Sequence, residues 1–163
     1  MRVLGIDPGT RRTGWGVAER QRTKLVGVAA GVIRLREKDP LADRLEIVFD
    51  RLDALVEEHR PDVIAVEDVF YAKHANAAIK LGHVRGVVLL LVAKRQLPLA
   101  EYPPALVKRT VAGRGAADKK QIGRVVGAML GLEELPAEDA TDALAIAITH
   151  LAATRGARAQ SRP

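Results

Sequence analysis

The sequence predicts an α/β domain built on a mixed sheet that opens with three antiparallel strands and is covered by helices. Three observations carry this expectation. The strand-like runs RVLGID, TGWGVAE and KLVGVAAGVIRL follow one another with gaps so short that they favour hairpins. After Pro40 the hydrophobic period changes from that of a strand to that of a helix. Beyond it, helical and strand-like stretches alternate, with DVIAVE and LPLAEY supplying a fourth and a fifth strand.

Taken in order, RVLGID is a buried strand closed by Asp7, and PGT is the turn after it. Glycines in TGWGVAE reduce the side-chain packing of the second strand. Asp39 is placed to cap, and Pro40 to start, a helix on which Leu41, Leu45, Val48, Leu52, Leu55 and Val56 share one stripe, ending near His59 before Pro61. DVIAVE closes on Glu67, and the adjacent aromatics Phe70 and Tyr71 follow. Asn76 to Gln96 has helical composition, with Gly82 and Gly86 one turn apart. LPLAEY is bounded by Pro98 and the Pro103–Pro104 pair. Two more helices are expected, Lys119 to Leu130 capped by Asp118 and Asp139 to Thr154. Residues 1–152 are therefore expected as one domain, with 153–163 as a flexible basic tail.

Composition narrows the function. Lys and Arg outnumber Asp and Glu by 26 to 20 and the isoelectric point is about 10.0, so polyanions are the natural partners. Cysteine is absent, which excludes disulfides, thiolate metal sites and cysteine nucleophiles. The start, MRVLGIDPGT, meets Asp7 before any long apolar run, and no later run reaches the roughly 18 residues a spanning helix needs. A soluble, cytoplasmic protein is expected.

Four carboxylates stand where an active site gathers them. Asp7 and Glu67 each close a strand, and Asp139 and Asp142 lie one helical turn apart in EDATDAL. In open α/β sheets ligands collect beyond strand ends. Oxygen-only sites with several carboxylates suit hard divalent cations, and two such ions can clamp an in-line phosphoryl displacement. A metal-dependent nuclease is the reading. The plain alternative for each acid taken alone is a turn residue. Three acid-bearing segments in one α/β pattern weigh against it, because unneutralised neighbours raise one another's pKa at a cost in stability.

GIDPGTRRTGWGV, AVEDVFYAKHANAAIKLGHVRG and DATDALAIAITH together resemble the RuvC family, the crossover junction endodeoxyribonucleases that resolve Holliday junctions. The similarity extends through about Leu151. It implies a ribonuclease H-like fold and a homodimeric nuclease that uses Mg²⁺, with Mn²⁺ able to substitute and two ions per site. It also implies symmetric cleavage of four-way junction DNA during recombination and repair, with a RuvA–RuvB branch-migration complex as partner.

Matched motif by motif, the catalytic and metal-binding acids are Asp7, Glu67, Asp139 and Asp142. Glu138 with Asp142 is an i, i+4 pair and stays open as the alternative ligand, although the D-A-x-D-A-L pattern favours Asp139. Lys119 matches a family lysine close to the scissile phosphate, with Lys120 its adjacent alternative, and Lys108 matches a second. Phe70 matches the family aromatic and, with Tyr71, is expected at an exposed base; the alternative is packing at the sheet end. Arg11 and Arg12 are expected at phosphate. Trp15 is expected to pack or to support the site, and His59 and His150 to occupy helix ends. His74 and His83 are expected to be solvated or to face DNA.

Three rivals remain at this level. DPGT is also the pattern of the first phosphate loop of actin-like ATPases, which ordinarily close two lobes where 163 residues provide one. The others are a nuclease of the same fold acting on RNA or simple duplexes, and a binding module that has lost its chemistry.

Overall fold

A computed structural model describes residues 1–68, 75–113 and 118–160. The strands are β1 (Arg2–Asp7), β2 (Arg12–Gln21), β3 (Lys24–Arg34), β4 (Val63–Glu67) and β5 (Leu99–Tyr102). The helices are α1 (Leu41–His59), α2 (Ala75–Arg95), α3 (Pro104–Ala112), α4 (Lys119–Leu130) and α5 (Glu138–Gln160). The sheet order is β3-β2-β1-β4-β5. β1, β2 and β3 form the expected antiparallel meander, and β4 and β5 run parallel to β1.

Alternation along the strands separates two cores. Val3, Val63 and Ala65 face α3, α4 and α5, while Leu4, Ile6, Ile64 and Val66 face α1 and α2. Val48, Leu52 and Val56 of the expected stripe are buried on α1. The backbone of α1 enters through Pro40; Asp39 does not cap it and accepts instead from Arg36 Nε at 3.1 Å.

Two elements differ from the sequence expectation. α3 was not expected, because Pro103–Pro104 reads as a break; Pro104 is in fact the first helical residue, where a missing N–H costs nothing. α5 continues past Thr154 to Gln160, since Ala, Arg and Gln favour the helix enough to carry it through Gly156. His150 consequently lies within α5 rather than at its end, and its Nδ1 is 2.7 Å from the Tyr102 hydroxyl. The expected cap of α4 is present as a reciprocal box: Asp118 accepts from the Gln121 N–H at 2.8 Å and Gln121 Oε1 accepts from the Asp118 N–H at 3.1 Å.

Glycines seat α5 on the sheet. Gly5 and Gly16 are direct cross-strand partners, and Gly14 lies opposite Asp7. A Cβ on Gly5 would meet the Ala143 carbonyl oxygen at 2.0 Å, and one on Gly14 would meet that of Asp139 at 1.9 Å. Neither neighbour can yield, because both are helix backbone. Gly5→Ala is expected to cost at least about 2 kcal/mol by overpacking, which for a domain of this size lowers Tm by roughly 4–8 °C. Calorimetry checks it, and an unchanged Tm would show that α5 does not depend on this floor.

Candidate active site

β1 and β4 are parallel neighbours with Ile6 opposite Val66, so Asp7 and Glu67 leave the sheet side by side. α5 crosses above them and brings in Asp142. The three carboxylates line one cleft of about 320 Å³. α3 contributes Pro104, Val107, Lys108 and Val111 to its wall, and α4 contributes Lys119 and Ile122. A polar floor thus meets an apolar wall with a lysine at each side.

Burial and mutual repulsion set the electrostatics. The Asp7 carboxyl is pushed from 3.8 up to about 7, first by burial, then by Asp142, Glu67 and Asp139, with Lys119 opposing. Burial raises Glu67, Asp142 raises it further, and Lys108 pulls it down. Asp142 is likewise raised by burial, against Lys119 and Lys108. Acids held in this way suit a hard cation better than a proton at neutral pH. Among the described residues no group of three or more Asp, Glu or His side chains already stands close enough to hold an ion. The cleft is a set of converging oxygen donors, not a closed cage.

Asp139 stands at the rim. It faces Arg12 at 3.4 Å and lines a neighbouring open cleft with Gly9, Thr10, Arg11, Arg12 and Glu138. Glu138 is exposed and pairs with Lys119. Of the two, only Asp139 is felt by Asp7, whereas both are felt by Asp142. Lys120 lies outside the main cleft, in an adjoining depression with Lys119 and Arg124. Arg11 pairs with Glu37 at 2.7 Å on the surface. Phe70, Tyr71 and His74 lie outside the described residues.

His59, His83, His150 and Trp15 do not line the carboxylate cleft. Trp15 lies over Gly31, where a Cβ would come 2.7 Å from its ring, and stacks on His59 with centroids 6.1 Å apart. Burial lowers the pKa of His150. His83 is exposed on α2.

One contributor was missed in the sequence. Arg85 of α2 donates to the Glu67 carbonyl at 2.9 Å and also reaches Asp68 and Glu101, bracing the end of β4. Its signal was an arginine one residue before Gly86, just ahead of the apolar run Val87–Val92.

A five-stranded sheet in this order, with acids at adjacent ends of β1 and β4 and a third on a helix laid across them, defines a ribonuclease H-like domain with an acidic, lysine-flanked cleft. A family model described as "Crossover junction endodeoxyribonuclease RuvC" matches residues 3–150. The chain belongs to the RuvC family of metal-dependent nucleases. A RuvC of Sorangium cellulosum is 54% identical over 94% of this chain and 86% of its own length. That of Halorhodospira halophila is 48% identical over 96% and 98%. Among solved structures, Thermus thermophilus RuvC in complex with a Holliday junction substrate superimposes with a TM-score of 0.87 at 30% identity, covering 96% of each chain.

Asp7 holds its proton more tightly folded than unfolded. Its contribution to stability is therefore complete below about pH 4 and is lost as pH rises through about 7. In EDTA at pH 8, Asp7→Asn is expected to melt above the parent, and the difference should vanish near pH 4. Added divalent cation should raise the parental Tm and raise that of Asp7→Asn less. Identical melting curves for the two proteins from pH 4 to 8 would remove the repulsion.

Proposed function

We propose that this protein resolves Holliday junctions during homologous recombination and repair by paired, symmetric, metal-dependent cleavage. The convergence of Asp7, Glu67 and Asp142 on one cleft, in a chain of the RuvC family, carries this reading. Asp7, Glu67 and Asp142, with Asp139 at the rim, are the residues to hold Mg²⁺, two ions per site, with Mn²⁺ able to substitute. The bound cations supply an activated water and charge for the departing 3′ oxygen. Lys119 and Lys108, on opposite helices of the cleft, hold the phosphate against the acids. Lys120, Arg11 and Arg12 bind flanking phosphates, and Phe70 and Tyr71 engage an exposed base. The apolar wall from α3 limits water beside the reacting group.

Paired cuts need two sites at a fixed separation, which a two-fold dimer supplies. α2 supports that reading: Ile79, Leu89 and Leu90 are exposed on it, and the space above Gly82 and Gly86 is open. Among the described residues no helix is long and apolar enough to cross a membrane. A cytoplasmic enzyme presented with its junction by a RuvA–RuvB complex completes the proposal.

The test is cleavage of a synthetic four-way junction beside a matching linear duplex. Paired nicks confined to the junction are expected. Cutting of both substrates alike would point to a general nuclease of this fold. Asp7→Asn, Glu67→Gln and Asp142→Asn should abolish cleavage yet bind the junction as well as the parent or slightly better, because phosphate contacts dominate affinity. Loss of binding together with folding would assign these acids to structure. With six to ten phosphate contacts, binding should weaken about 10³–10⁵-fold between 50 and 200 mM salt.

The dimer is checked separately. Leu90→Glu, on the exposed face of α2, is expected to turn a dimer into a monomer in sedimentation at micromolar concentration and to uncouple the two cuts. A monomeric parent would count against the two-fold arrangement.

A further inference from the structure

The turn between β1 and β2 has features that the carboxylate cleft does not explain. Arg44 of α1 is only 9% exposed, and among the described residues it has no ion-pair partner. Its Nη1 donates to the Thr10 carbonyl at 3.1 Å, and its Nε has no partner at all. A buried guanidinium without a counter-charge is costly. An aliphatic side chain would suit this face of the core better. Thr13, fully buried, donates from its hydroxyl to the Gly9 carbonyl at 3.1 Å. A Cβ on Gly9 would meet the Arg12 carbonyl oxygen at 2.1 Å, so the turn is wound back on itself.

Two successive carbonyls, those of Gly9 and Thr10, are thus drawn inward by Thr13 and Arg44. The peptide bonds are trans, and in a planar trans unit the N–H points opposite to its carbonyl. The N–H groups of Thr10 and Arg11 therefore point away from the groups that hold the carbonyls. Among the described residues neither finds an acceptor in the backbone. Thr10 and Arg11 line an open cleft of about 460 Å³ together with Arg12 and Asp139. Arg11 is engaged by Glu37 and Arg12 by Asp139, and Glu138 in the same cleft is engaged by Lys119. All three are exposed pairs that an arriving phosphate displaces at little cost.

We propose that this turn seats a second DNA phosphate, distinct from the scissile one, on the N–H groups of Thr10 and Arg11 and the guanidinium groups of Arg11 and Arg12. Arg44 and Thr13 are positioning residues that keep those N–H groups turned outward. The inference rests on the DNA-cleaving reading and deepens it. Asp139 lines this open cleft and its charge also acts on Asp7 in the carboxylate cleft, so the seated phosphate lies beside the cleavage point. Arg44 acts through geometry, since Asp7 responds to burial, its three acidic neighbours and Lys119, and Arg44 is not among these causes.

The experiment measures junction binding by fluorescence anisotropy in EDTA, with single methylphosphonates placed in turn at the phosphates flanking the cleavage point. One neutralised phosphate other than the scissile one should weaken parental binding roughly ten- to a hundredfold. Arg44→Met and Thr13→Val should weaken binding to the unmodified junction by a similar factor, lose nothing more at that phosphate, and lose as much as the parent elsewhere. Arg44→Lys, which keeps a cation and a donor, should recover part of the loss. If either variant melts below the assay temperature, Arg44→Lys and the parental phosphate scan carry the comparison. Equal additional losses at every phosphate, parental affinity in both variants, or a lowered Tm without weaker binding would overturn the seat. A parent that binds the junction no better than duplex overturns the underlying reading instead, and that is read from the parent alone.

Discussion

The close approach of α5 to the middle of the sheet is the constraint on which the rest depends. Gly5, Gly14 and Gly16 leave backbone where side chains would stand, so the helix settles onto β1 and β2 with its own carbonyls near their Cα atoms. Ordinary helix-on-sheet packing holds the layers a full side chain apart, and Asp142 would then stand off from the strand ends. With the glycines, one helix brings an acid to acids that the sheet had already paired. The same glycines that reduce side-chain packing on β1 and β2 therefore build the cleft. Their value lies in what they omit.

That gathering works against stability. Acids gathered so that their neighbours' charges raise their proton affinity are a poor solution for a fold alone, and here they are also partly buried. The chain offsets this with lysines on α3 and α4, elements separate from those carrying the acids. Among the described residues, no lysine or arginine forms a close ion pair with Asp7, Glu67 or Asp142. The basic groups soften the repulsion without removing it, leaving the acids' lone pairs open to a harder charge. A direct Lys–Asp pair would have neutralised the cleft and closed it.

How much of this was legible depends on the kind of signal. Strand ends carrying acids, the antiparallel start and the Asp118 cap are local in sequence, and local patterns report them. α3 was hidden because proline marks both a break and a first helical turn, and only the chain's later course distinguishes the two. The end of α5 was read too early for a related reason: a glycine in an alanine- and arginine-rich stretch weakens a helix without ending it. Arg85 and Arg44 were missed altogether. Each is defined by a carbonyl it reaches across the fold, at Glu67 and at Thr10, and no spacing rule encodes such a partner. Asp139 was legible as an acid on the right helix face, but its place at the rim, opposite Arg12, follows only from the path of the β1–β2 turn.

A division of labour among the charges follows. At the rim, Arg12 with Asp139 and Lys119 with Glu138 form exposed pairs, and solvent-screened pairs of this kind contribute little to stability. A phosphate backbone can exchange with them at little cost, so the rim stays neutral until a polyanion arrives and then yields its cations. In the floor the balance is reversed: the acids are half-buried and, among the described residues, without an ion pair, and no polyanion relieves them. Only a cation does. Weak rim pairs and a repulsive floor thus respond to opposite charges, which would let one small cleft accept a phosphate and a cation without either partner neutralising the other's site.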